Sequence, residues 1–326
     1  MKSFANVNPR DLKDAVNKLR QPNAVPVGGG SDLLGMVKEH LVEPDVLVHL
    51  KAVKGADVIS WHAKPRGMFI GGLVTLNELS GFEPIRKNYT VLAEAAESVA
   101  TPQIRNVGTL AGNICQRPWC WYYRNGFPCF KAGGKQCFSI TGENQFHAIF
   151  GGGPSFIVHP SDTAPALVAL DAQITVMGAS GTRQVPAAEF FALPRVDPAR
   201  ENVLAKDEIV AAVRLPEVKP NTRSTYHKIL DREAWTHAVV SAAVVLEMDQ
   251  QVCKSARVVL GGVAPIPWRL PKVEAMLAGQ RITPELAARA GEVALEGANP
   301  LAKNAYKVPL TKAVVRRTVL ELATKA

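Results

Sequence analysis

The sequence lacks any long hydrophobic run. Its longest apolar stretches, such as Val239 to Leu246 with one serine, are much shorter than the roughly 20 residues that a membrane-spanning helix needs. The opening residues, MKSFANVNPRDL, lack the apolar core of a secretory signal, and no twin-arginine pair precedes one. We therefore expect no membrane insertion. We expect a protein that is cytoplasmic, or periplasmic by co-export with a signal-bearing partner.

A dense basic run is also lacking, although the net charge is +9. Lys and Arg are spread along the whole chain, and the aromatic residues do not interleave with them as a base-stacking surface requires. We therefore expect no nucleic-acid partner. An anionic cofactor, an acidic partner surface or a merely basic solvated surface fits this charge.

Internal repeats and low-complexity tracts are absent, and the 326 residues are enough for two or three cores. Pro216 to Thr222 (PEVKPNT) is typical of a linker. Before it, short strands alternate with helices, which predicts α/β subdomains at 1–55 and 56–218. After it, residues 223–326 are predicted to form an antiparallel sheet followed by three helices. The predicted fold class is α+β.

Two glycine-containing segments are typical of anion binding. A predicted strand, Ala24 to Val27, runs into Gly28-Gly29-Gly30, then Ser31-Asp32 and a helix, which exposes backbone N–H groups. The pattern is not G-x-G-x-x-G, and a structural turn without a ligand remains an alternative. Farther along, Thr109 to Asn113 (TLAGN) offers a glycine for close approach and polar side chains on either side. We expect the two segments to meet and clamp a diphosphate.

Asp162, in the sequence HPSD, has two possible roles. Its carboxylate can accept hydrogen bonds from the hydroxyl groups of a bound sugar. It can also cap the helix predicted from Thr163 to Leu170.

Four of the five cysteines, Cys115, Cys120, Cys129 and Cys137, fall within 23 residues. Crowded thiols in a chain of this size without a secretory signal are more often metal or cluster ligands than disulfides. No histidine lies within the run to indicate a mixed zinc site. A [4Fe–4S] cluster, a zinc ion and unligated thiols remain the three alternatives. Cys253 stands alone and is interpreted as a small buried apolar residue.

Several pieces of the chain resemble a known family in order: VPVGGGSDLL, IGGLVTLNEL, RNVGTLAGN, HPSDTAPALVALDA and DEIVAAVRLP. They look like the FAD-binding medium subunit of the xanthine dehydrogenase / aldehyde oxidase / carbon monoxide dehydrogenase (molybdenum hydroxylase) family. The resemblance implies a vanillyl-alcohol-oxidase (PCMH)-type FAD domain at 1–218 and a carbon-monoxide-dehydrogenase-flavoprotein-like domain after it. It also implies a heterotrimer with a molybdenum-cofactor large subunit and a small subunit carrying [2Fe–2S] centres.

The resemblance also implies the residues that bind FAD. They are Val25, Pro26, Val27, Gly28, Gly29, Gly30, Ser31, Asp32, Val99, Thr109, Leu110, Ala111, Gly112, Asn113, Asp162, Val210 and Lys228. Within this set the first eight wrap the pyrophosphate, Thr109 to Asn113 form the second clamp, and Asp162 binds the sugar. Val210 packs on the isoalloxazine and Lys228 lies near the flavin edge. A core position in its helix is the alternative for Val99, and a solvated strand position is the alternative for Lys228.

An insert at about 114–160 resembles that of the periplasmic-type aldehyde oxidases and of 4-hydroxybenzoyl-CoA reductase. There, four cysteines hold a [4Fe–4S] cluster, which implies Cys115, Cys120, Cys129 and Cys137 as ligands here. In those relatives one ligand directly precedes the HPSD motif, where this chain has Ser155-Phe156. Either Cys115 replaces it, or the cluster has three cysteine ligands, or an oxygen ligand comes from a group near Ser155.

The function implied is electron transfer by an oxidoreductase subunit, with no catalytic acid, base or nucleophile in this chain. Electrons come from the partner's [2Fe–2S] centres through FAD to an external acceptor, and the complex most resembles an aldehyde dehydrogenase or oxidase. A 4-hydroxybenzoyl-CoA-reductase-like medium subunit is one alternative. A zinc-stapled interaction module without flavin is another, from a different class.

Overall fold

The computed structural model describes residues 1–232 and 236–324. Its first unit is a small α/β layer whose strands are all parallel, in the order β1-β3-β2. Its elements are β1 (Ala5–Val7), α1 (Leu12–Leu19), β2 (Ala24–Val27), α2 (Leu33–Lys38) and β3 (Val46–His49). Helix α1 begins after Asp11, whose side chain accepts a hydrogen bond from the Asp14 N–H at 2.7 Å.

The second unit packs helices against an antiparallel sheet with the strand order β4-β5-β8-β6-β7. Helix α9 is buried along its whole length because its sequence, TAPALVA, offers no charged face to solvent. The elements of this unit are β4 (Ile59–Ala63), β5 (Arg66–Gly71), α3 (Leu76–Gly81), α4 (Glu83–Asn88), α5 (Thr90–Glu97), α6 (Pro102–Val107), α7 (Leu110–Ile114), α8 (Trp121–Arg124), α9 (Thr163–Ala169), β6 (Gln173–Gly178), β7 (Gly181–Pro186), α10 (Ala187–Phe190) and β8 (Ile209–Pro216).

The third unit is the predicted antiparallel meander, in the order β12-β11-β10-β9, with β13 added to β11. One face of β10 joins the core of the second unit through Ala243 and Val245, and the other face packs on the C-terminal helices through Val244. Because both faces are buried, β10 is apolar without alternation. The elements are β9 (Thr222–Ile229), β10 (Val240–Asp249), β11 (Val252–Gly261), β12 (Trp268–Arg269), α11 (Pro271–Leu277), β13 (Gln280–Arg281), α12 (Pro284–Val293) and α13 (Lys307–Thr324).

The predicted α+β fold class is confirmed: two α/β units are followed by an antiparallel-sheet unit with helices. Element ends differ by a few residues: β9 begins at Thr222, inside the segment predicted as a linker. Across residues 1–232 and 236–324, no helix combines the length and apolarity required to cross a bilayer.

The insert has little regular structure, only α8 and a 3₁₀ turn at Phe130–Ala132. Side-chain contacts fix it on three sides. Arg124 pairs with Asp32 before α2, and buried Lys131 pairs with buried Glu201 at 2.8 Å. The Asn144 side chain accepts the backbone N–H of Lys303 in the third unit. The insert therefore bridges all three units.

Candidate functional site

The two glycine-containing segments lie in direct contact, as the sequence predicts. A Cβ atom added at Gly28 would lie 3.0 Å from Thr109 Oγ1, and one at Gly29 would lie 1.9 Å from the Val107 carbonyl oxygen. Only glycine permits so close an approach of two backbones. The prediction that these segments meet is therefore confirmed.

Backbone pairing with the segment before α3 holds the second clamp in place. The Leu110 N–H donates to the Val74 carbonyl, and the Ala111 N–H donates to the Gly72 carbonyl, both at 2.9 Å. Thr109 Oγ1 accepts the Gly112 N–H at 3.1 Å and so caps α7. These bonds point Leu110 and Ala111 into the core and leave Thr109 and Gly112 facing the cavity.

Asn113 ties this clamp to the HPSD segment. Its Oδ1 accepts hydrogen bonds from Ser161 Oγ at 2.5 Å and from Thr163 Oγ1 at 2.6 Å. Ser161 Oγ in turn accepts the Ala164 N–H at 3.0 Å, at the start of α9. The capping role weighed for Asp162 is wrong, because its side chain makes no capping bond and Ser161 makes one instead.

A cavity of about 800 Å³ opens beside the two clamps. This volume lies within the ~300–1,000 Å³ typical of ligand sites. Most of the predicted FAD-binding residues line it: Val25, Pro26, Val27, Gly28, Gly29, Gly30, Ser31, Asp32, Val99, Thr109, Gly112, Asn113 and Asp162. Leu110, Ala111 and Val210 belong to the core, and Lys228 is buried behind Asp162.

The Asp162 carboxylate at the cavity wall is held by two buried groups. Tyr226 OH donates to Oδ1 and Lys228 Nζ donates to Oδ2, each at 2.7 Å. Lys228 Nζ also donates to the Ser98 carbonyl at 3.0 Å. Burial and the adjacent Asp162 raise the pKa of Tyr226 well above its usual value, so its hydroxyl remains a donor.

The insert forms a further wall of this cavity, which the sequence did not reveal. Arg117, Trp119, Tyr123 and Lys131 all line it. Arg124 stacks over the Trp119 ring at 4.3 Å from its centroid. His237, from the loop before β10, faces Trp119 with ring centroids 5.4 Å apart. No periodic pattern marks these positions, because irregular loops carry none.

Asp32, predicted to wrap a pyrophosphate, is engaged by the insert. Its Oδ1 accepts from Arg124 Nη2 at 2.7 Å, and its Oδ2 accepts from the backbone N–H of Arg117 at 3.1 Å. Two carboxylate oxygens thus hold the insert against the glycine loop. The anion-binding capacity of this loop lies in the N–H groups of its glycines and Ser31.

Three of the four insert cysteines lie near one another. Burial raises the pKa of Cys120 to about 11; backbone N–H groups of Tyr123 and Tyr122 oppose the rise, and the nearby Cys137 and Cys129 contribute to it. Cys120 and Cys129 also share a small apolar cluster with Met36 and Tyr123. Converging thiols are the donors that iron–sulfur clusters and zinc accept.

Cys115 lies apart from that group. It ends α7, packs against the core of the second unit and lines the cavity. Burial alone raises its pKa to about 12. Its assignment as a ligand stays a prediction. Within the described part of the chain, no three or more His, Cys, Asp or Glu side chains are arranged to hold a metal ion.

A parallel α/β layer, a helix-covered antiparallel sheet and a double backbone clamp over a large cavity together define an FAD-binding flavoprotein fold. Residues 2–218 match the family model described as FAD binding domain in molybdopterin dehydrogenase. Residues 225–322 match the model described as CO dehydrogenase flavoprotein C-terminal domain. The chain belongs to this family: it is an FAD-binding medium subunit of the molybdenum hydroxylase type, and thus an oxidoreductase subunit.

Relatives that match over nearly their whole length belong to the same family. The chain is 33% identical to the aldehyde oxidoreductase FAD-binding subunit PaoB of Escherichia coli K12 over 316 residues, covering 96% of this chain and 95% of that one. It is 26% identical to the carbon monoxide dehydrogenase medium chain of Hydrogenophaga pseudoflava, covering 95% and 94%. A solved structure of that organism's carbon monoxide dehydrogenase superposes with a TM-score of 0.78 at 24% identity, covering 99% of this chain and 97% of that chain, which shows a shared fold.

Proposed function

We propose that this chain is the electron-transfer subunit of an aldehyde-oxidising molybdenum hydroxylase and holds FAD beside an iron–sulfur cluster. The observation that carries the proposal is the cavity wall shared by the glycine loop and the thiol-bearing insert. An FAD site and a group of thiols that touch the same helix, α2, are suited to pass electrons between two cofactors. The similarity to PaoB supports aldehydes as the substrate class.

The chain's own groups have defined tasks toward FAD. The N–H groups of Gly28, Gly29 and Gly30 receive the diphosphate, which loses water on binding, and Thr109 and Gly112 line the cavity beside them. Asp162, fixed by Tyr226 and Lys228, presents its remaining lone pairs to sugar hydroxyls. Trp119 and His237, whose rings are tilted against each other, form part of the cavity wall. When bound, FAD supplies the electron-transfer chemistry, and these residues orient it.

The proposal includes a [4Fe–4S] cluster on insert thiols. Cys120, Cys129 and Cys137 would supply the sulfur donors, and aromatic rings of Tyr122, Phe127 and Phe138 pack on one another in the same insert. Substrate oxidation takes place on a molybdenum-containing partner, and a [2Fe–2S] partner delivers the electrons.

The experiment is purification of the chain with its associated chains, followed by visible spectroscopy and assay of flavin, iron, zinc, sulfide and molybdenum. We expect a flavin band near 450 nm, roughly stoichiometric FAD, and about four iron atoms per chain in addition to those of the [2Fe–2S] partner. If an aldehyde reduces the flavin in the complete complex but not in the isolated chain, substrate oxidation takes place on a partner and this chain transfers the electrons.

Zinc in place of iron, without a flavin band, would refute electron transfer and favour an interaction module. Flavin present without iron on this chain would retain the FAD assignment and remove the cluster. A cluster potential far below that of the flavin would favour the reductase direction of electron flow.

A further inference from the structure

The insert places two positive charges at the wall of the FAD cavity. Arg117 and Lys131 are the only Arg or Lys side chains among the described residues that line it. Lys131 is buried and pairs with the buried Glu201 at 2.8 Å, and its Nζ also donates to the Arg200 carbonyl at 2.8 Å. Arg117 Nη1 lies 3.2 Å from the other oxygen of the same carboxylate, Glu201 Oε2. Two cations therefore share one counter-charge.

The carboxylates that line the cavity do not supply the missing counter-charge. Among the described lining residues they are Asp32 and Asp162. Asp32 pairs with Arg124 at 2.7 Å. Asp162 pairs with Lys228 at 2.7 Å. The cavity wall thus has one positive charge in excess, on Arg117, and a partly buried excess charge favours an anionic ligand.

Arg117 lies beside the glycine loop, Gly28 to Ser31. Its backbone N–H donates to Oδ2 of Asp32, the residue that directly follows the loop, at 3.1 Å. Its guanidinium lies over the Tyr123 ring, 5.1 Å from the centroid, and the Tyr123 hydroxyl contacts Met36 Sδ of α2 at 3.7 Å. The guanidinium and the N–H groups of the glycine loop are therefore both gathered around the start of α2.

The guanidinium of Arg117 is fixed in place but is not saturated with hydrogen bonds. Nη1 donates to the Ala199 carbonyl at 3.3 Å, and Nη2 donates to the Lys131 carbonyl at 3.0 Å. Nε is buried and has no hydrogen-bond partner among the described residues. Because a guanidinium has five N–H donors, it can still donate to a ligand. The side chain is 29% exposed, which leaves room for such a contact.

We propose that Arg117 is a further FAD-binding residue, whose guanidinium balances one negative charge of the FAD diphosphate. This inference deepens the proposed function and rests on its FAD assignment. Guanidinium and phosphate match in charge and in hydrogen-bond geometry. The backbone N–H groups of the glycine loop carry no formal charge, so they bind the diphosphate without neutralising it. The insert supplies the positive charge that the loop lacks.

The test is titration of the full-length chain, freed of flavin, with FAD at about 0.05 M and about 0.5 M sodium chloride, since salt screens charge interactions. Flavin fluorescence gives the dissociation constant. Arg117→Gln removes the charge, and Arg117→Lys keeps it. Arg257→Gln is the matched control: Arg257 also binds a carbonyl, that of Ala169, and a carboxylate, that of Glu247, but lies outside the cavity. Circular dichroism and urea unfolding report the folding of each variant.

We expect Arg117→Gln to raise the FAD dissociation constant about tenfold at the lower salt concentration, through loss of one charge-assisted hydrogen bond. Its difference from wild type should shrink at the higher salt concentration, because salt screens an attraction that the variant lacks. Arg117→Lys should keep most of the affinity and the salt dependence of wild type. Arg257→Gln should bind FAD as wild type does at both salt concentrations.

Equal dissociation constants for Arg117→Gln and wild type would overturn the proposal. So would weaker binding by Arg117→Gln with the salt dependence of wild type and no recovery in Arg117→Lys, because Arg117 would then only hold the shape of the insert. Wild-type chain that binds no FAD would instead remove FAD from the proposed function. The two failures are therefore distinguishable.

Discussion

Gly29 is the residue at which the two backbone clamps come closest. A methyl group there would collide with the Val107 carbonyl and with the Gly108 nitrogen at 2.9 Å, and backbone cannot move aside as a flexible side chain can. The contact between the two glycine-containing segments therefore requires glycine at position 29.

We predict that Gly29→Ala loses FAD and costs about 3 kcal/mol of unfolding free energy through overpacking. Flavin absorbance of the purified variant and urea denaturation measure the two effects. Gly35→Ala is the matched control: it lies nearby in α2 with no atom within 4 Å of the added methyl. Gly35→Ala should keep FAD, and its free energy of unfolding should rise by about 0.5–1 kcal/mol. Equal loss of FAD in both variants would contradict the role of the close approach.

His159, which begins the HPSD motif, gives the protein a specific acid sensitivity. Burial lowers its pKa from 6.5 to about 3, and its Nδ1 accepts the Ser161 N–H at 3.3 Å. Because the folded pKa is below the unfolded one, the unfolded chain binds a proton below about pH 6.5 that the folded chain does not. Stability contributed by the neutral ring is therefore lost as the pH falls from 6.5 towards 3.

The expected loss from His159 between pH 8 and pH 5 is about 2 kcal/mol of unfolding free energy, at 1.36 kcal/mol per pKa unit. Urea denaturation of wild type and His159→Gln at both pH values measures it. The variant should show a smaller difference between the two pH values than wild type. An unchanged difference would show that other groups cause the acid sensitivity.

At the scale of elements, the insert and helix α2 depend on each other. Arg124 and Asp32 pair at 2.7 Å with side chains only 13% and 17% exposed, and Tyr123 packs on Met36 of α2. Because α2 directly follows the glycine loop, a loosened insert releases the loop that receives the diphosphate.

We predict that Arg124→Gln weakens FAD binding about tenfold, equivalent to about 1.4 kcal/mol, through loss of a charged hydrogen bond. Flavin fluorescence titration of the apoprotein measures the dissociation constant. Lys2→Gln serves as the control, because its partner Asp45 is equally exposed at 49% and lies outside the cavity. It should leave FAD affinity unchanged. Equal affinities for Arg124→Gln and wild type would show that the insert does not support the loop.

At the scale of the whole molecule, the FAD domain and the C-terminal unit meet at a buried polar group. Asp162 comes from the first, while Tyr226 and Lys228 come from β9 of the second. Glu94 of α5 adds a second bridge by accepting from Thr225 and from the Tyr226 N–H. The position of the cavity floor is thus set by both units together.

We predict that Lys228→Met lowers the free energy of unfolding by about 3–5 kcal/mol, because Asp162 is left buried with an unpaired charge. Tyr226→Phe should cost less, about 1–3 kcal/mol, because the ion pair remains. Thermal and urea unfolding measure both values. The double substitution Asp162→Asn with Lys228→Met should be less harmful than Lys228→Met alone. If the double variant were less stable than Lys228→Met alone, the cost of leaving the Asp162 charge buried and unpaired would not explain the instability of Lys228→Met.

Patterns within single elements allowed much of the fold to be predicted. The apolar face of α1, the strand before the glycine turn, the strands after the linker and the meander order follow from local periodicity and turn residues. The contact of Gly28 with Thr109 was also predictable, because two anion-binding loops are useful only together. The positions of Trp119 and His237 at the cavity were not, since they lie in irregular segments without periodicity.

The sequence by itself determined the family, the α+β class and the two backbone clamps of the FAD site, because these depend on short motifs and repeating apolar positions. Only the tertiary structure separated Cys115 from the other thiols, brought His147 to Cys120, and paired Asp32 with Arg124 of the insert. The physical reason is that burial and pairing depend on which distant segments pack together, and a cysteine or an aspartate looks the same in sequence whichever neighbour it finds.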